Sequence, residues 1–431
     1  MAENLKNQTT GFGSPDSDLT TEEMRAIVES ALADIPAGAK VLAIIADKTR
    51  DDNTPILFPI AAGLLRERRA AKFDALVAQG THPPMSDADK LAKIGASRFS
   101  DIPLLGSVFD HHWDDPEQLA TIGTLAADDV DELTGGLLTT EVPLTVNRHV
   151  IRYDHILIFG GTVPHEVAGF AGGAKYFFPG IAGPELTNAT HWLGACATIE
   201  RIIGRVETPT RRMIEAAADH IPANVISFTS VITRDDEDRQ RTHALFAGDC
   251  RLALRRAAEV SRMVHIKYTG RKYKCVVALL DEHYEDLWVG GKASYKLGGV
   301  IEDGGELIIF APQLKAISDT HGDAIERFGG YAPLEVVRER VEHDPELRSN
   351  LCVAAHLAHV SFAGRRLDSG EFVSRYRITL ASQVDADTCR RVNLNYLDPG
   401  AFRVADYEND PNSLIVERAG RDLYLVEPQD E

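Results

Sequence analysis

His155-Ile156-Leu157-Ile158-Phe159-Gly160 is apolar from end to end. It then gives way to Pro164-His165-Glu166-Val167-Ala168-Gly169-Phe170-Ala171-Gly172-Gly173-Ala174-Lys175. A short continuous apolar run bounded by glycine fits a strand buried on both faces, as in a parallel sheet. This strand empties into a long glycine-rich loop that carries a lysine and, with Thr190-His191 further on, two histidines. Ligands of α/β proteins bind beyond the carboxyl ends of parallel strands. Three ionisable side chains in a glycine-permissive segment there mark a candidate site.

The same arrangement recurs upstream. Thr20-Thr21-Glu22-Glu23 opens with the pattern of a capping box, so a helix is expected from there to about Ile35. Val41 to Ala46 reads as a strand ending in Asp47-Lys48-Thr49-Arg50, and Thr54-Pro55 starts a helix with proline in its first turn. Phe73 to Ala78 is a further strand ending in Gln79-Gly80-Thr81-His82-Pro83-Pro84-Met85, with Ser86 as the next helix cap. Strands alternating with helices predict an α/β fold, here two α/β domains. Residues 1–18 read as a mobile arm and 19–266 as an N-terminal cofactor-binding domain. Lys267 to Lys274 reads as a basic linker and 272–398 as a C-terminal domain. Residues 399–431, ending in the strand-like Asp422 to Pro428, are expected to return to the first domain.

The chain has 431 residues, 44% hydrophobic and 26% charged, enough for a large core. With 65 acidic against 46 basic residues the formal charge is −19, which excludes bulk nucleic-acid binding but not a local anion site. Five scattered cysteines without a C-x-x-C pair give no zinc-thiolate site and fit a reducing, cytoplasmic location. No apolar run is long enough to span a membrane, and the polar N-terminus shows no signal peptide.

Lys175 follows glycines, yet the run reads G-x-x-G-G-x-K-Tyr and not as a P-loop, because Tyr176 offers no small hydroxyl for magnesium. Backbone N–H groups at Gly172 and Gly173 can still hold a phosphate. Histidine titrates near neutrality and is the commonest metal ligand, so His82, His165 and His191 suit acid/base work or metal binding. A loop histidine is just as often a simple hydrogen-bonding residue. Arg50 offers a fork for a carboxylate, against the plainer alternative of a salt bridge to Asp51 or Asp52. The run Asp281-Glu282-His283-Tyr284-Glu285-Asp286 reads as a solvated acidic loop, and His111-His112 as a secondary feature.

Taken together, Asp47-Lys48-Thr49-Arg50, Gly80-Thr81-His82-Pro83-Pro84-Met85, the ordered His165…Lys175…His191 segment and Pro179-Gly180-Ile181-Ala182-Gly183 resemble the nickel-pincer-nucleotide-dependent lactate racemase (LarA) family. The resemblance is strongest between about 40 and 200. It implies a pyridinium bisthiocarboxylic acid mononucleotide holding nickel in a pincer, joined to Lys175 through a thioamide, with His191 as a nickel ligand and Asp47, Thr49, Gly172 and Gly173 around the cofactor. It implies His82 and His165 as acid/base groups on either side of a 2-hydroxy acid. Arg50 then orients the carboxylate, and Lys296 and Tyr295 contribute from the second domain, which puts the site in the cleft between domains. The implied reaction inverts C2 through a 2-keto acid, and the implied partners are the small-molecule substrate and the cofactor-synthesis enzymes.

The Gly290 to Tyr295 run lacks the family's glutamine, and Leu351 to Val360 lacks its tryptophan. Lys292, Ser294, Tyr295 and His356 therefore predict a pocket more polar than lactate needs, hence a larger or more polar substrate and a racemase or epimerase branch other than lactate. Two alternatives remain open: an enzyme using Lys175 as a Schiff-base lysine, and a non-catalytic carrier of the nickel-pincer cofactor.

Overall fold

The computed structural model describes residues 8–282, 284–361 and 364–428. The chain divides into two compact units. The first comprises residues 1–190 and 206–264, the second 191–205 and 265–431.

The first unit is built on strands β1 (Thr9–Gly13), β2 (Lys40–Ala46), β3 (Lys72–Ala78), β4 (Leu105–Phe109), β5 (Leu119–Leu125), β6 (Val142–Asn147), β7 (His155–Gly161), β8 (Pro164–His165), β9 (Gly169–Phe170), β10 (Asn224–Arg234) and β11 (Gln240–Gly248). Seven form one sheet in the order β1-β11-β10-β7-β2-β3-β4. The five from β10 to β4 run parallel, and β11 and β1 continue antiparallel. From β2 the chain proceeds through β3 to β4 on one side and resumes with β7 and β10 on the other. The carboxyl ends of β2 and β7 therefore lie side by side at a topological switch point, where open α/β sheets form their crevice.

The central strands are buried on both faces, as their apolar runs require. Residues 41–46 of β2 and Ile156–Phe159 of β7 are inaccessible or nearly so. Phe58, Phe73, Phe159 and Phe228 stack through this core at centroid spacings of 4.9 to 6.0 Å. The capping box holds: Thr20 caps helix Thr21–Ala31 and Glu23 reaches back to it. Pro55 lies in the first turn of helix Thr54–Glu67, and Ser86 caps helix Asp87–Lys93.

Residues 1–7 of the expected arm lie outside the described residues. Thr9–Gly13, expected to be mobile, instead forms β1 against β11. Gly11, with φ 107°, allows this, because a Cβ there would sit 2.1 Å from the Leu245 carbonyl. A polar Thr-Thr-Gly-Phe-Gly stretch has no apolar alternation to announce such a strand.

The second unit has its own parallel sheet, in the order β18-β17-β14-β13-β19. These strands are β13 (Tyr273–Leu279), β14 (Ile301–Ala311), β17 (Arg377–Ser382), β18 (Asn395–Leu397) and β19 (Ser413–Val416). Two short pairs join it, β12 (Ile266–Tyr268) with β20 (Leu423–Leu425) and β15 (Gly364–Arg366) with β16 (Phe372–Ser374). The 399–431 tail thus stays in the second unit. Its apolar Leu414-Ile415-Val416 pairs with β13, and β20 pairs with β12, which overlaps the start of the expected linker. Among the described residues no helix is long and apolar enough to cross a membrane.

Candidate active site

Asp47 follows β2 directly and is buried. Its Oδ1 accepts the Thr49 N–H at 2.9 Å and the Thr49 hydroxyl at 2.6 Å, and its Oδ2 meets His82 Nδ1 at 2.7 Å. Burial works to raise the Asp47 carboxyl. The His82 hydrogen bond, the neighbouring His82 and Arg50 charges and the Thr49 hydroxyl outweigh it and hold the group well below the usual carboxylate range. A carboxylate on Nδ1 leaves Nε2 of the ring as the working atom.

His82 hangs from a tight turn after β3, in which its N–H bonds the Gln79 carbonyl at 3.0 Å. Gly80 N–H donates to Gly180 O at 2.9 Å, tying this turn to the loop that carries Lys175. Sequence reasoning assigned Asp47 and Thr49 to the cofactor. The structure spends the Asp47 oxygens on His82 and Thr49, so Asp47 orients the histidine. The signal was the pairing of an aspartate and a histidine on adjacent parallel strand ends, legible only with the strand order.

The turn after Asp47 is pinned by an ion pair in which Lys93 Nζ meets Asp52 Oδ2 at 2.8 Å, with both side chains buried. The same Nζ donates to the Arg50 carbonyl at 2.8 Å. Asp51 is engaged by Arg234. Neither aspartate therefore holds Arg50, whose guanidinium makes no ion pair among the described residues.

His165 lies in the two-residue strand β8, paired antiparallel with β9. Its Nδ1 accepts the Val167 N–H at 3.1 Å, and Glu166 Oε2 lies 3.5 Å from the same nitrogen. The hairpin is gripped from beneath by Arg211, a buried residue of helix Pro209–Ala218. Its guanidinium donates to the carbonyls of Phe170 at 2.5 Å, Gly172 at 3.2 Å and Ala168 at 3.5 Å. Desolvation brings Arg211 down to about 10. Sequence reasoning missed it, because an arginine on an amphipathic helix reads as solvated.

Gly172 (φ 100°) turns the loop where a Cβ would lie 2.8 Å from Thr162 Oγ1. Lys175 follows on a short 3-10 turn, Gly173–Tyr176. Among the described residues its Nζ has no hydrogen-bond or ion-pair partner. Desolvation, reinforced by Arg50 and Arg211 and opposed by Glu166 and Asp47, lowers it to about 7. Those same charges place Lys175 with Arg50, Asp47 and Glu166. Two buried atoms at the neighbouring strand ends, Gln79 Oε1 and Thr162 Oγ1, also lack hydrogen-bond partners among the described residues.

His191 is carried by helix Pro184–Ala197, which passes from the first unit into the second between Thr190 and His191. Within the second unit it is one of the histidines whose charge bears on His356. Tyr295 and Lys296 lie in helix Lys292–Leu297 and are buried. Tyr295 OH pairs with His356 Nδ1 at 2.9 Å, and Lys296 Nζ donates to Arg421 O at 2.5 Å. Ser294 Oγ donates to Val360 O at 2.6 Å, and His356 Nε2 meets Tyr331 OH at 3.3 Å. Each of these polar side chains has a hydrogen-bond partner within the protein. Trp288, in helix Leu287–Gly290, packs against His356 at 4.1 Å.

His111 is a core residue, its Nε2 bonded to Ala182 O at 3.0 Å and its pKa lowered by burial to about 4. Of the acidic run, His283 lies outside the described residues, Asp281 pairs with Arg421, and Asp286 caps helix Leu287–Gly290.

The lactate racemase N-terminal domain family matches residues 19–201, the stretch that holds Asp47, Arg50, His82, His165 and Lys175. A protein from Thermotoga maritima of known crystal structure superposes with a TM-score of 0.87 at 32% identity, covering 96% of this chain and 99% of that one. Residues 19–201 of this chain thus match the N-terminal domain of the lactate racemase family. The lactate racemase of Thermoanaerobacterium thermosaccharolyticum is 29% identical over 162 residues, 37% of this chain. The match spans about a third of that relative, 34% of its length. The apoprotein structure of the lactate racemase from the same organism shares the fold, with a TM-score of 0.70 at 18% identity over 97% of this chain and 100% of that one. The α/β fold of this chain is thus similar to that of the racemase apoprotein.

Proposed function

We propose that this LarA-like protein is a racemase or epimerase of a 2-hydroxy acid, working with a nickel-pincer nucleotide bound at Lys175. The observation that carries the reading is Lys175 itself. It is a lysine lowered to about 7, without a partner among the described residues, in a glycine loop that shares its surroundings with Asp47, Arg50 and Glu166.

The residues present fit the group. A neutral amine is the nucleophilic form, as an amide-type linkage requires. Gln79 Oε1 and Thr162 Oγ1 await polar partners at the same strand ends. Among the described residues no three His, Cys, Asp or Glu side chains converge to hold a metal. An ion that arrives with its own sulfur and carbon donors needs only one further ligand, and the imidazole of His191 suits nickel. Lys175 would hold the cofactor covalently, the backbone around Gly172 and Gly173 would line it, and His191 would ligate the nickel. When bound, the group supplies a reversible acceptor for the C2 hydrogen and its electron pair.

The chain's own residues do the rest. Arg50 binds and orients the substrate carboxylate. His82, held by Asp47, takes the hydroxyl proton on Nε2, and His165 serves the opposite face. The planar 2-keto acid is the species through which C2 inverts.

The test is protein produced together with the cofactor-making enzymes and offered lactate, malate and an aldonic acid, with exchange or inversion at C2 as readout. Turnover that falls by ~10²-fold or more in His82→Ala and in His165→Ala supports the reading. Loaded protein that turns over none of a broad 2-hydroxy acid panel identifies a cofactor carrier instead. The lowered Lys175 also favours a second reading, a Schiff-base enzyme. Borohydride trapping of a carbonyl substrate on Lys175, without nickel, would establish that one.

A further inference from the structure

His82 and His165 are held by opposite kinds of partner on the same ring nitrogen. Nδ1 of His82 faces the Asp47 carboxylate at 2.7 Å, which is lowered and therefore an acceptor. In its neutral form the ring must place its proton on Nδ1, so Nε2 carries a lone pair. Nδ1 of His165 faces the Val167 backbone N–H at 3.1 Å, which can only donate. That ring must keep its lone pair on Nδ1, so Nε2 carries the proton. Glu166 Oε2, at 3.5 Å from the same nitrogen, pulls the other way. The amide is nearer and is fixed by the β8–β9 hairpin, which Arg211 clamps through the flanking carbonyls.

We propose that the resting protein holds its two candidate acid/base histidines in opposite tautomers, with His82 presenting a proton acceptor and His165 a neutral N–H donor. Asp47 and the Val167 amide are the positioning groups. The inference rests on the reading that these two histidines flank the substrate, and it gives them unequal roles. The hydroxyl proton moves to Nε2 of His82, whose new positive charge faces Asp47. His165 gives a hydrogen bond and no proton while its Nδ1 is tied to Val167. For His165 to accept a proton on Nε2, its own proton must first shift to Nδ1, which requires the Val167 bond to open. The enantiomer whose hydroxyl faces His82 is therefore taken up directly, and its mirror image waits for that rearrangement.

The test needs neither cofactor nor substrate, so its failure and that of the racemase reading are distinguishable. Long-range ¹H–¹⁵N spectra of histidine-labelled, cofactor-free protein at about pH 8, above the ordinary imidazole range, distinguish the two tautomers. His82→Gln and His165→Gln assign the signals by their disappearance. The expected result is the Nδ1–H form for His82 and the Nε2–H form for His165. In Asp47→Asn the His82 signals move toward the Nε2–H form while those of His165 stay. Matching tautomers in the parent protein, or a His82 signal indifferent to Asp47→Asn, would overturn the proposal.

Discussion

Replacing Lys175 by methionine should stabilise the cofactor-free protein at pH 6, and the gain should vanish as the pH rises. The side chain descends from an ordinary 10.5 to about 7 on folding, chiefly because its charged form loses water. At about 1.36 kcal/mol for each tenfold change in acidity, that descent amounts to about 5 kcal/mol. Below about pH 7 the folded and unfolded chains both carry the proton, and the folded state bears the whole cost. Between 7 and 10.5 the folded amine is neutral while the unfolded one is charged, so stability climbs with pH. Above 10.5 both are neutral, and wild type and variant converge. Methionine keeps the apolar stem and removes the charge. Even half of the full cost, at about 2–4 °C per kcal/mol for a domain of this size, moves the unfolding midpoint by about 5–10 °C. The assay is thermal unfolding of both proteins from pH 6 to pH 10, paired with the pH dependence of Lys175 acylation read by peptide mass. A midpoint difference that does not shrink with pH, or a Lys175→Met protein less stable than wild type at pH 6, would refute the reasoning. So would half-maximal acylation near 10.

Intact mass of protein produced with the cofactor-making enzymes should show an adduct that Lys175→Ala lacks, and an adduct of equal yield in the variant removes Lys175 as the attachment point. His191→Ala should keep the adduct and lose most of the nickel, so equal metal content in both proteins excludes His191 as ligand. Arg50→Gln should raise KM for a 2-hydroxy acid by ~10-fold or more, on the scale of a hydrogen-bonded charge pair, with a smaller change in kcat. An unchanged KM means that the carboxylate is held elsewhere.

The strand-loop grammar of the first unit is written locally, which is why it was readable. β2, β3 and β7 are apolar runs with polar ends, and a buried parallel strand has no other way to look. The Thr20 and Ser86 caps are single-residue signals that act within one turn. What escaped depends on distance in sequence. Arg211 meets Gly172 across 39 residues and Asp47 meets His82 across 35, so neither pairing has a local signature. The β1 strand escaped because its glycines answer to the backbone of β11, which arrives more than 230 residues later. The tail was assigned to the wrong unit for the same reason, since a short apolar strand does not say which edge it will join. The hydrogen bond between Tyr295 and His356 spans 61 residues and has no local signature either.

The charges at the ends of β2, β3 and β7 are apportioned in a way that leaves one cation to spare. Asp47 is taken by His82, Asp51 by Arg234 and Asp52 by Lys93. Arg211 is spent on backbone carbonyls. Lys175, lowered to about 7, sheds its charge near neutrality. Arg50 finds no carboxylate at ion-pair distance among the described residues. A guanidinium left unpaired beside a neutral amine and a carboxylate-held imidazole is suited to a small molecule that brings one carboxylate and one exchangeable proton. A phosphate-rich ligand would instead call for several cations. In the proposed function that economy of charge would assign Arg50 to the carboxylate, His82 to the hydroxyl and Lys175 to a covalent bond that a charged amine would not form.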